Sequence, residues 1–304
     1  MKILVTGGAG FIGSHIVDSY ILKGHDVVVI DNLYSGKREF INKKAVFYGM
    51  DIVDEKLGDV FKREKFDVIN HNAAQMSARF SINSPIFDAK VNVLGILNLL
   101  ENCRKYDVKK FIFASSGGAI YGEPNILPIS ENSKKKPISP YGMAKKISED
   151  YLDYFYRMYD LNYLSLRYPC VYGPRQNVKG EVNVIAVFMD LLLKNENVQI
   201  YGDGEQIRDY IFISDVVEAN NVALYRGDND TFNIGTGVPT TVNQVYNKIK
   251  IITQSIGSGV GVDKGKDDVR KNYLDCKKAK EFLDWRYKVD LDSGLKLTYD
   301  WFKR

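Results

Sequence analysis

Cysteine and histidine are scarce in this chain, with three of each among 304 residues. Cys103, Cys170 and Cys276 are odd in number and far apart, which argues for reduced thiols and against a disulfide framework or a metal site. His15, His25 and His71 show no carboxylate spacing of the kind that gathers a metal, and His-dependent hydrolysis is disfavoured with it. No apolar run is long enough to cross a bilayer and no leader-like segment precedes the first strand pattern, so a cytoplasmic protein is expected. One-sided charge is missing too. A net +4 is too mild to imply nucleic acid, and the run Lys134-Lys135-Lys136, set between prolines, reads as a solvated loop tip. What remains, 45% apolar and 26% charged residues, describes an ordinary globule able to form one large domain or two modest ones.

Glycine is placed where it does most. Lys2 to Thr6 is a short apolar, β-branched run, a buried-strand signal, and Gly7-Gly8-Ala9-Gly10-Phe11-Ile12-Gly13 follows at once. A helical pattern through Ile16, Val17, Tyr20 and Ile21 ends near Gly24, and a second strand, Asp26 to Ile30, ends in Asp31. This is the strand, glycine turn, helix and strand that a dinucleotide requires. Gly7 permits the tight turn, Gly10 lets backbone approach a pyrophosphate, and Gly13 allows helix and strand to pack closely. The helix N-terminus offers free amides and a positive dipole end to the phosphates. Asp31 is placed for the adenosine ribose and would repel a ribose phosphate, so NAD is expected over NADP despite the nearby Lys37 and Arg38. Further strands are expected at 46–48 and 67–70. Asp51 and Ile52 follow the first of these, where they could border an adenine. His71-Asn72-Ala73-Ala74-Gln75 follows the second and should line the cofactor cleft, with His71 in a structural role.

A second stretch carries the chemistry. The strand Phe111-Ile112-Phe113 runs into Ala114-Ser115-Ser116-Gly117-Gly118-Ala119-Ile120-Tyr121-Gly122, and a helix restarts at Ser139-Pro140-Tyr141. Tyr141 and Lys145 lie four residues apart on one face of that helix. A free phenol titrates near ~10, and an ammonium beside it favours the phenolate. Beside Ser116, such a pair could take a proton from a sugar alcohol while hydride leaves the same carbon.

The helix expected from about 86 to 105 and the one over 141–159 are apolar on more than one face, which predicts a homodimer formed through them. After the strand 162–168 the strand–helix alternation loosens. Short strands are expected at 198–201 and 232–234, helices at 184–194 and 242–252, and a Gly-rich loop at 257–266. The expected fold is α/β. A Rossmann-type doubly wound parallel sheet over residues 1–169, rejoined by segments around 198–235, carries the NAD. A smaller mixed α/β region over 170–304 binds mainly the substrate.

Taken together, Thr6–Gly13, Asp31-Asn32-Leu33, His71–Ala74, Ser115–Gly122, Tyr141–Lys145, Val171-Tyr172-Gly173-Pro174-Arg175 and Arg208-Asp209-Tyr210 resemble the extended short-chain dehydrogenase/reductase family over nearly the whole chain. Within it, the chain is most similar to the nucleoside-diphosphate-sugar 4-epimerases. The resemblance implies Tyr141 as the acid/base, Lys145 as the group that holds the nicotinamide ribose and lowers the phenol pKa, and Ser116 as the hydroxyl bonded to the sugar. It adds Asn32, Ser35, Gly36, Asn92 and Tyr168 to the NAD contacts Gly7, Gly10, Phe11, Ile12, Gly13, Asp31, Asp51, Ile52, Asn72, Ala73 and Ala74. For the nucleotide sugar it implies Gly117, Cys170, Asn183, Val184, Gln199, Tyr201, Arg208 and Asp268.

The implied reaction is inversion at C4 of a nucleotide hexose, UDP-glucose/UDP-galactose by default. Related dehydratases and decarboxylases need a carboxylate directly after the catalytic Ser. Here Gly117 and Gly118 stand there and have no proton to give, which favours epimerisation. A reductase or dehydrogenase of the same fold, and an NAD-sensing scaffold, are the other readings. Three departures from the family pattern bear on the substrate. Cys170 stands where Asn is usual. Gly265 stands where an Arg is usual, leaving Lys264 or Lys266 to replace it without the bidentate fork. Asn272 stands where some relatives have a bulky Tyr that excludes N-acetylated sugars.

Overall fold

A computed structural model of the chain describes residues 1–178, 184–263 and 269–304. Its strands are β1 (Lys2–Thr6), β2 (Asp26–Ile30), β3 (Val46–Tyr48), β4 (Val68–His71), β5 (Lys110–Ser116), β6 (Asn162–Tyr168), β7 (Cys170–Tyr172), β8 (Val198–Tyr201), β9 (Ile207–Arg208), β10 (Tyr210–Phe212), β11 (Asp230–Asn233), β12 (Thr240–Thr241) and β13 (Gly259–Val262). Among the described residues, seven of them form one parallel sheet in the order β3-β2-β1-β4-β5-β6-β11. Strand order reverses at β1, between β2 and β4, so a crevice opens at the carboxyl ends of these strands. Gly7, Asp31, Asn72, Ser116 and Tyr168 all sit at that edge or one residue from it.

The strands read as continuous apolar runs because helices cover both faces. Ile3 and Val5 point into one core with Ile16, Val17, Leu164 and Leu166; Leu4 points into the other with Phe61, Leu99, Phe111 and Phe113. Each side chain of this kind stabilises the fold by about 1.5–3 kcal/mol on burial.

The first face carries α1 (Phe11–Leu22), packed on a later helix over Ile213–Ala223. The second carries α2 (Leu57–Glu64), α3 (Ala78–Asn83), α4 (Pro85–Ala89), α5 (Gly95–Lys105) and α6 (Pro140–Tyr159). Helix α3 was not expected. Ser77 caps it by accepting from Phe80 N, a local signal that the apolar pattern alone does not give. Between α4 and α5 the helix widens to a π turn over Lys90–Leu94, so 85–105 is continuous helix with a bulge at a place where functional sites recur. Helix α6 starts where expected: the Ser139 hydroxyl accepts from Gly142 N at 3.1 Å and Pro140 holds the first turn.

Two readings are corrected. The segment 257–266 is not all loop. Its residues Gly259–Val262 form β13, which pairs in parallel with β8 and supplies that short strand with backbone partners. Lys135 is not a solvated loop lysine, since its Nζ reaches Glu149 Oε2 at 2.9 Å while Lys134 and Lys136 stay exposed. Beyond β6, β10 pairs with β7 in parallel and β12 with β9 antiparallel, while β11 lies beside β6 in the main sheet. No described helix is long and apolar enough to cross a membrane.

Candidate active site

The dinucleotide cradle is set by backbone. Gly7 adopts φ +69° as β1 ends, and a Cβ there would lie 2.7 Å from Ala73 N. A Cβ on Gly13 would lie 2.2 Å from Gly7 O, so the turn and α1 close only on bare glycine. Gly10 is the N-cap of α1 and no side chain caps that end, which leaves Phe11, Ile12 and Gly13 presenting amides at the positive end of the helix. Asp31 is buried and accepts from Ala9 N at 3.0 Å and Leu33 N at 2.8 Å. Burial pushes its pKa up while those two amides pull it back. Gly36 packs so closely that a Cβ would meet Asp31 Oδ1 at 2.8 Å, and Ser35 lies beside it on the same turn. Asn32 donates to Asp51 Oδ2 at 2.7 Å, linking the ends of β2 and β3. Ile52 is core, beneath Gly95 of α5, so only its backbone can face a ligand.

At the end of β4, Asn72 donates to Asn70 Oδ1 at 2.7 Å while its own Oδ1 is buried without a partner among the described residues. An orphaned acceptor beside a glycine cradle and a ribose-type carboxylate is what a dinucleotide would complete, and these residues fit NAD. The chain Asn72–Asn70–Asn220–Tyr168 continues as buried hydrogen bonds, with Tyr168 OH accepting from Asn220 at 2.8 Å. Burial raises the Tyr168 phenol, which accepts from Asn220 in this setting. His71 is also structural: it stacks on Phe113 and meets Thr6 Oγ1 at 2.7 Å, and burial followed by the Lys145 charge brings it down to about 3.

Ser116, Tyr141 and Lys145 converge at the end of β5. Lys145 Nζ donates to Ala114 O at 2.7 Å, with its charge 4.6 Å from the Phe113 ring centre and 5.8 Å from that of Tyr141. Burial lowers Lys145 to about 8, while Asp88 and Glu149 oppose the fall. Burial raises Tyr141 to about 12; the Ser116 hydroxyl pulls it down and Asp88 pushes it up. In the protein alone, then, the phenol that the resemblance expects to be lowered is raised, because desolvation outweighs what opposes it, and Lys145 directs one of its N–H groups to a backbone carbonyl.

Three more side chains support this centre: Ser81 and Asp88, which the motif reading passed over, and Asn92, which it expected as an NAD contact. Ser81 Oγ on α3 accepts from Tyr141 N at 3.1 Å. Asn92, at the π turn, accepts from Gln75 N at 3.0 Å and donates to Gln75 O at 2.8 Å, clamping the 72–77 loop that contains Ala73 and Ala74. Asp88 is buried one turn earlier and accepts from Gln75 Nε2 and Asn92 Nδ2 at 2.7 and 2.9 Å. The π bulge is the only local sign of this arrangement, and it is not visible in the letters.

The expected substrate residues are only partly gathered. Asn183, Asp268, Lys264, Gly265 and Lys266 lie outside the described residues. Gly117 N donates to Tyr168 O at 2.8 Å, and Gly117 O accepts from Asn272 Nδ2 at 3.1 Å, so Asn272 does reach the catalytic strand. Cys170 N donates to Asp209 O at 3.0 Å. Arg208 Nη1 donates to its neighbour Ile207 O at 2.8 Å. Val184 opens a helix, whereas Gln199 and Tyr201 are exposed on β8 with their side chains 3.5 Å apart. Arg79 of α3 lies over the Tyr201 ring at 5.3 Å, which links α3 to β8.

Comparison with known proteins places this geometry. Residues 3–235 match the NAD dependent epimerase/dehydratase family. A UDP-glucose 4-epimerase of Thermotoga maritima, solved with UDP-glucose, is 51% identical and superimposes with a TM-score of 0.98, covering 100% of this chain and 99% of that one. The Thermus thermophilus UDP-glucose 4-epimerase, in complex with NAD, is 40% identical with a TM-score of 0.96 over 100% and 99%. A UDP-N-acetylglucosamine 4-epimerase from Methanobrevibacter ruminantium, in complex with UDP-N-acetylmuramic acid, is 34% identical with a TM-score of 0.93 over 99% and 98%.

Proposed function

The chain belongs to the NAD dependent epimerase/dehydratase family, and from that premise we propose that it is an NAD-dependent 4-epimerase of UDP-hexoses, interconverting UDP-glucose and UDP-galactose. The observation that carries the reading is the meeting of Ser116, Tyr141 and Lys145 at the end of β5, beside a glycine cradle and directly before Gly117 and Gly118. Bound NAD supplies a reversible hydride acceptor. Tyr141 takes the proton of the C4 hydroxyl and later returns it, and Ser116 holds that oxygen. Burial keeps Tyr141 a phenol in the protein alone, so the positive charge of Lys145 has to oppose that desolvation for the phenolate to form. Gly117 and Gly118 offer no carboxylate for elimination or decarboxylation, so the 4-keto sugar has no exit except reduction, and turning its other face inverts C4.

Asn272 favours a second substrate. A small amide at that position leaves room that a tyrosine would fill, and the N-acetyl-sugar epimerase among the similar structures supports acceptance of 2-acetamido sugars. A homodimer is proposed as well. Ile86, Leu94, Met143 and Met158 expose apolar surface on α4–α6, with Ile86 at 85% and Met158 at 57%. Light scattering at micromolar concentration is expected to give twice the chain mass, and a monomer would remove this part.

The deciding experiment is proton NMR of UDP-galactose incubated with the purified protein and no added cofactor. UDP-glucose should form with the wild type. No conversion of UDP-galactose or of UDP-N-acetyl sugars, even with NAD supplied, would overturn the reading.

A further inference from the structure

Tyr141, Lys145 and Glu149 follow one another at single-turn spacing on the inner face of α6, and only the first two have a part in the chemistry above. Glu149 is 4% and Arg167 2% exposed. Glu149 Oε1 accepts from Ser115 Oγ at 2.7 Å, Arg167 Nε at 2.8 Å and Ser165 Oγ at 3.3 Å; Oε2 accepts from Arg167 Nη2 at 2.6 Å and Lys135 Nζ at 2.9 Å. Arg167 Nη1 donates to Tyr121 OH at 2.6 Å and Glu131 O at 3.2 Å, and Tyr121 OH donates to Asn233 Oδ1 at 2.8 Å.

The cluster therefore joins five parts of the site: α6, β5 at the residue before Ser116, β6, the loop after β5, and β11. Ser115 and Arg167 are register partners on adjacent strands, so the pair spans the sheet at the level of the catalytic serine. Burial works to raise the Glu149 carboxyl, but the Arg167 bond and charge, with Lys135, hold it below the ordinary range.

A buried ion pair is a weak source of stability, because desolvating both ions offsets most of their attraction. Its bidentate fork is instead strongly directional. Beyond this fork α6 is held by single hydrogen bonds, among them Lys145 Nζ to Ala114 O of β5, Tyr141 N to Ser81 Oγ and Ser148 Oγ to Asn92 O, and by apolar packing through side chains such as Leu152 and Phe155, all of which tolerate sliding and rotation more readily than a two-point fork does. We propose that Glu149 and Arg167 are positioning residues, which fix the register of α6 on β5 and so hold Tyr141 and Lys145 opposite Ser116. This rests on the epimerase reading of that triad.

The test compares the wild type with Glu149→Met/Arg167→Met, which replaces the buried pair by apolar groups and leaves Lys135, partly exposed, to turn to solvent, and with Ser115→Ala, which removes one bond and leaves the pair intact. Turnover, KM, bound NAD and far-ultraviolet circular dichroism are measured on each. The double variant is expected to fold and keep NAD, with kcat at least ~10-fold lower and KM within ~3-fold; Ser115→Ala should lose ~3-fold in kcat, because a misplacement of only ~1 Å can cost two orders of magnitude in rate. Wild-type kcat in the folded double variant overturns the proposal, and so does wild-type kcat in Ser115→Ala if the double variant does not fold. A loss that appears only in KM or in NAD content overturns it too. If the wild type does not epimerise, or Tyr141→Phe is as active as the wild type, the failure lies in the epimerase reading instead.

Discussion

Acidification from pH 7 to pH 5 should weaken the fold through His71. The ring is 2% exposed, stacked 5.7 Å from Phe113 and meeting Phe111 edge-on at 5.8 Å, with Nδ1 2.7 Å from Thr6 Oγ1. Burial, then the charge of Lys145, lowers its pKa to about 3. In the unfolded chain the same imidazole takes its proton near ~6.5. Between those values the unfolded state holds one more proton than the folded state. Stability is then complete above about 6.5 and falls by roughly 1.4 kcal/mol for each pH unit below it. From 6.5 to 5 the loss is about 2 kcal/mol, and it depends on the unfolded value so long as the folded one stays well below 5.

The control is His71→Asn, whose side chain can still meet Thr6 but does not titrate. Urea unfolding of both proteins at pH 7 and pH 5 gives four free energies. His15, whose pKa burial also lowers, contributes equally to both and cancels in the double difference. The wild type should lose about 2 kcal/mol more than the variant. Equal losses would refute the argument, because they would mean that the folded protein takes up the proton on His71 as readily as the unfolded chain.

Other outcomes follow from the same geometry. Tyr141→Phe should retain the fold and bound NAD while turnover of UDP-galactose by NMR falls at least ~100-fold, the scale of a lost acid/base group. In Gly13→Ala the new Cβ would press on backbone, 2.2 Å from Gly7 O and 2.8 Å from Gly7 C, so the purified variant should carry little NAD when released nucleotide is assayed by chromatography. Asn272→Tyr fills a buried position against Gly117 and should abolish conversion of UDP-N-acetyl sugars while conversion of UDP-galactose continues.

The amino-acid sequence by itself determined the doubly wound half of the molecule. β1 and β2 have the bounds that their apolar runs predict, because a parallel strand covered on both faces is apolar nearly throughout, and β6 has its expected bounds although it contains the buried Ser165 and Arg167. The glycine turn and Asp31 are equally local, since a positive φ or a steric limit belongs to one residue and its neighbours. Tyr141 and Lys145 are legible for the same reason, four residues apart on a helix whose cap, Ser139-Pro140, is written beside them. The tertiary structure decided what depends on meetings between distant residues. Lys135 joins Glu149 instead of solvent, and Asp88 and Asn92 hold Gln75. Gly259–Val262 becomes a strand only because β8 lies alongside. The phenol of Tyr141 is raised rather than lowered, because desolvation is set by everything packed around a side chain and no pattern four residues long contains it.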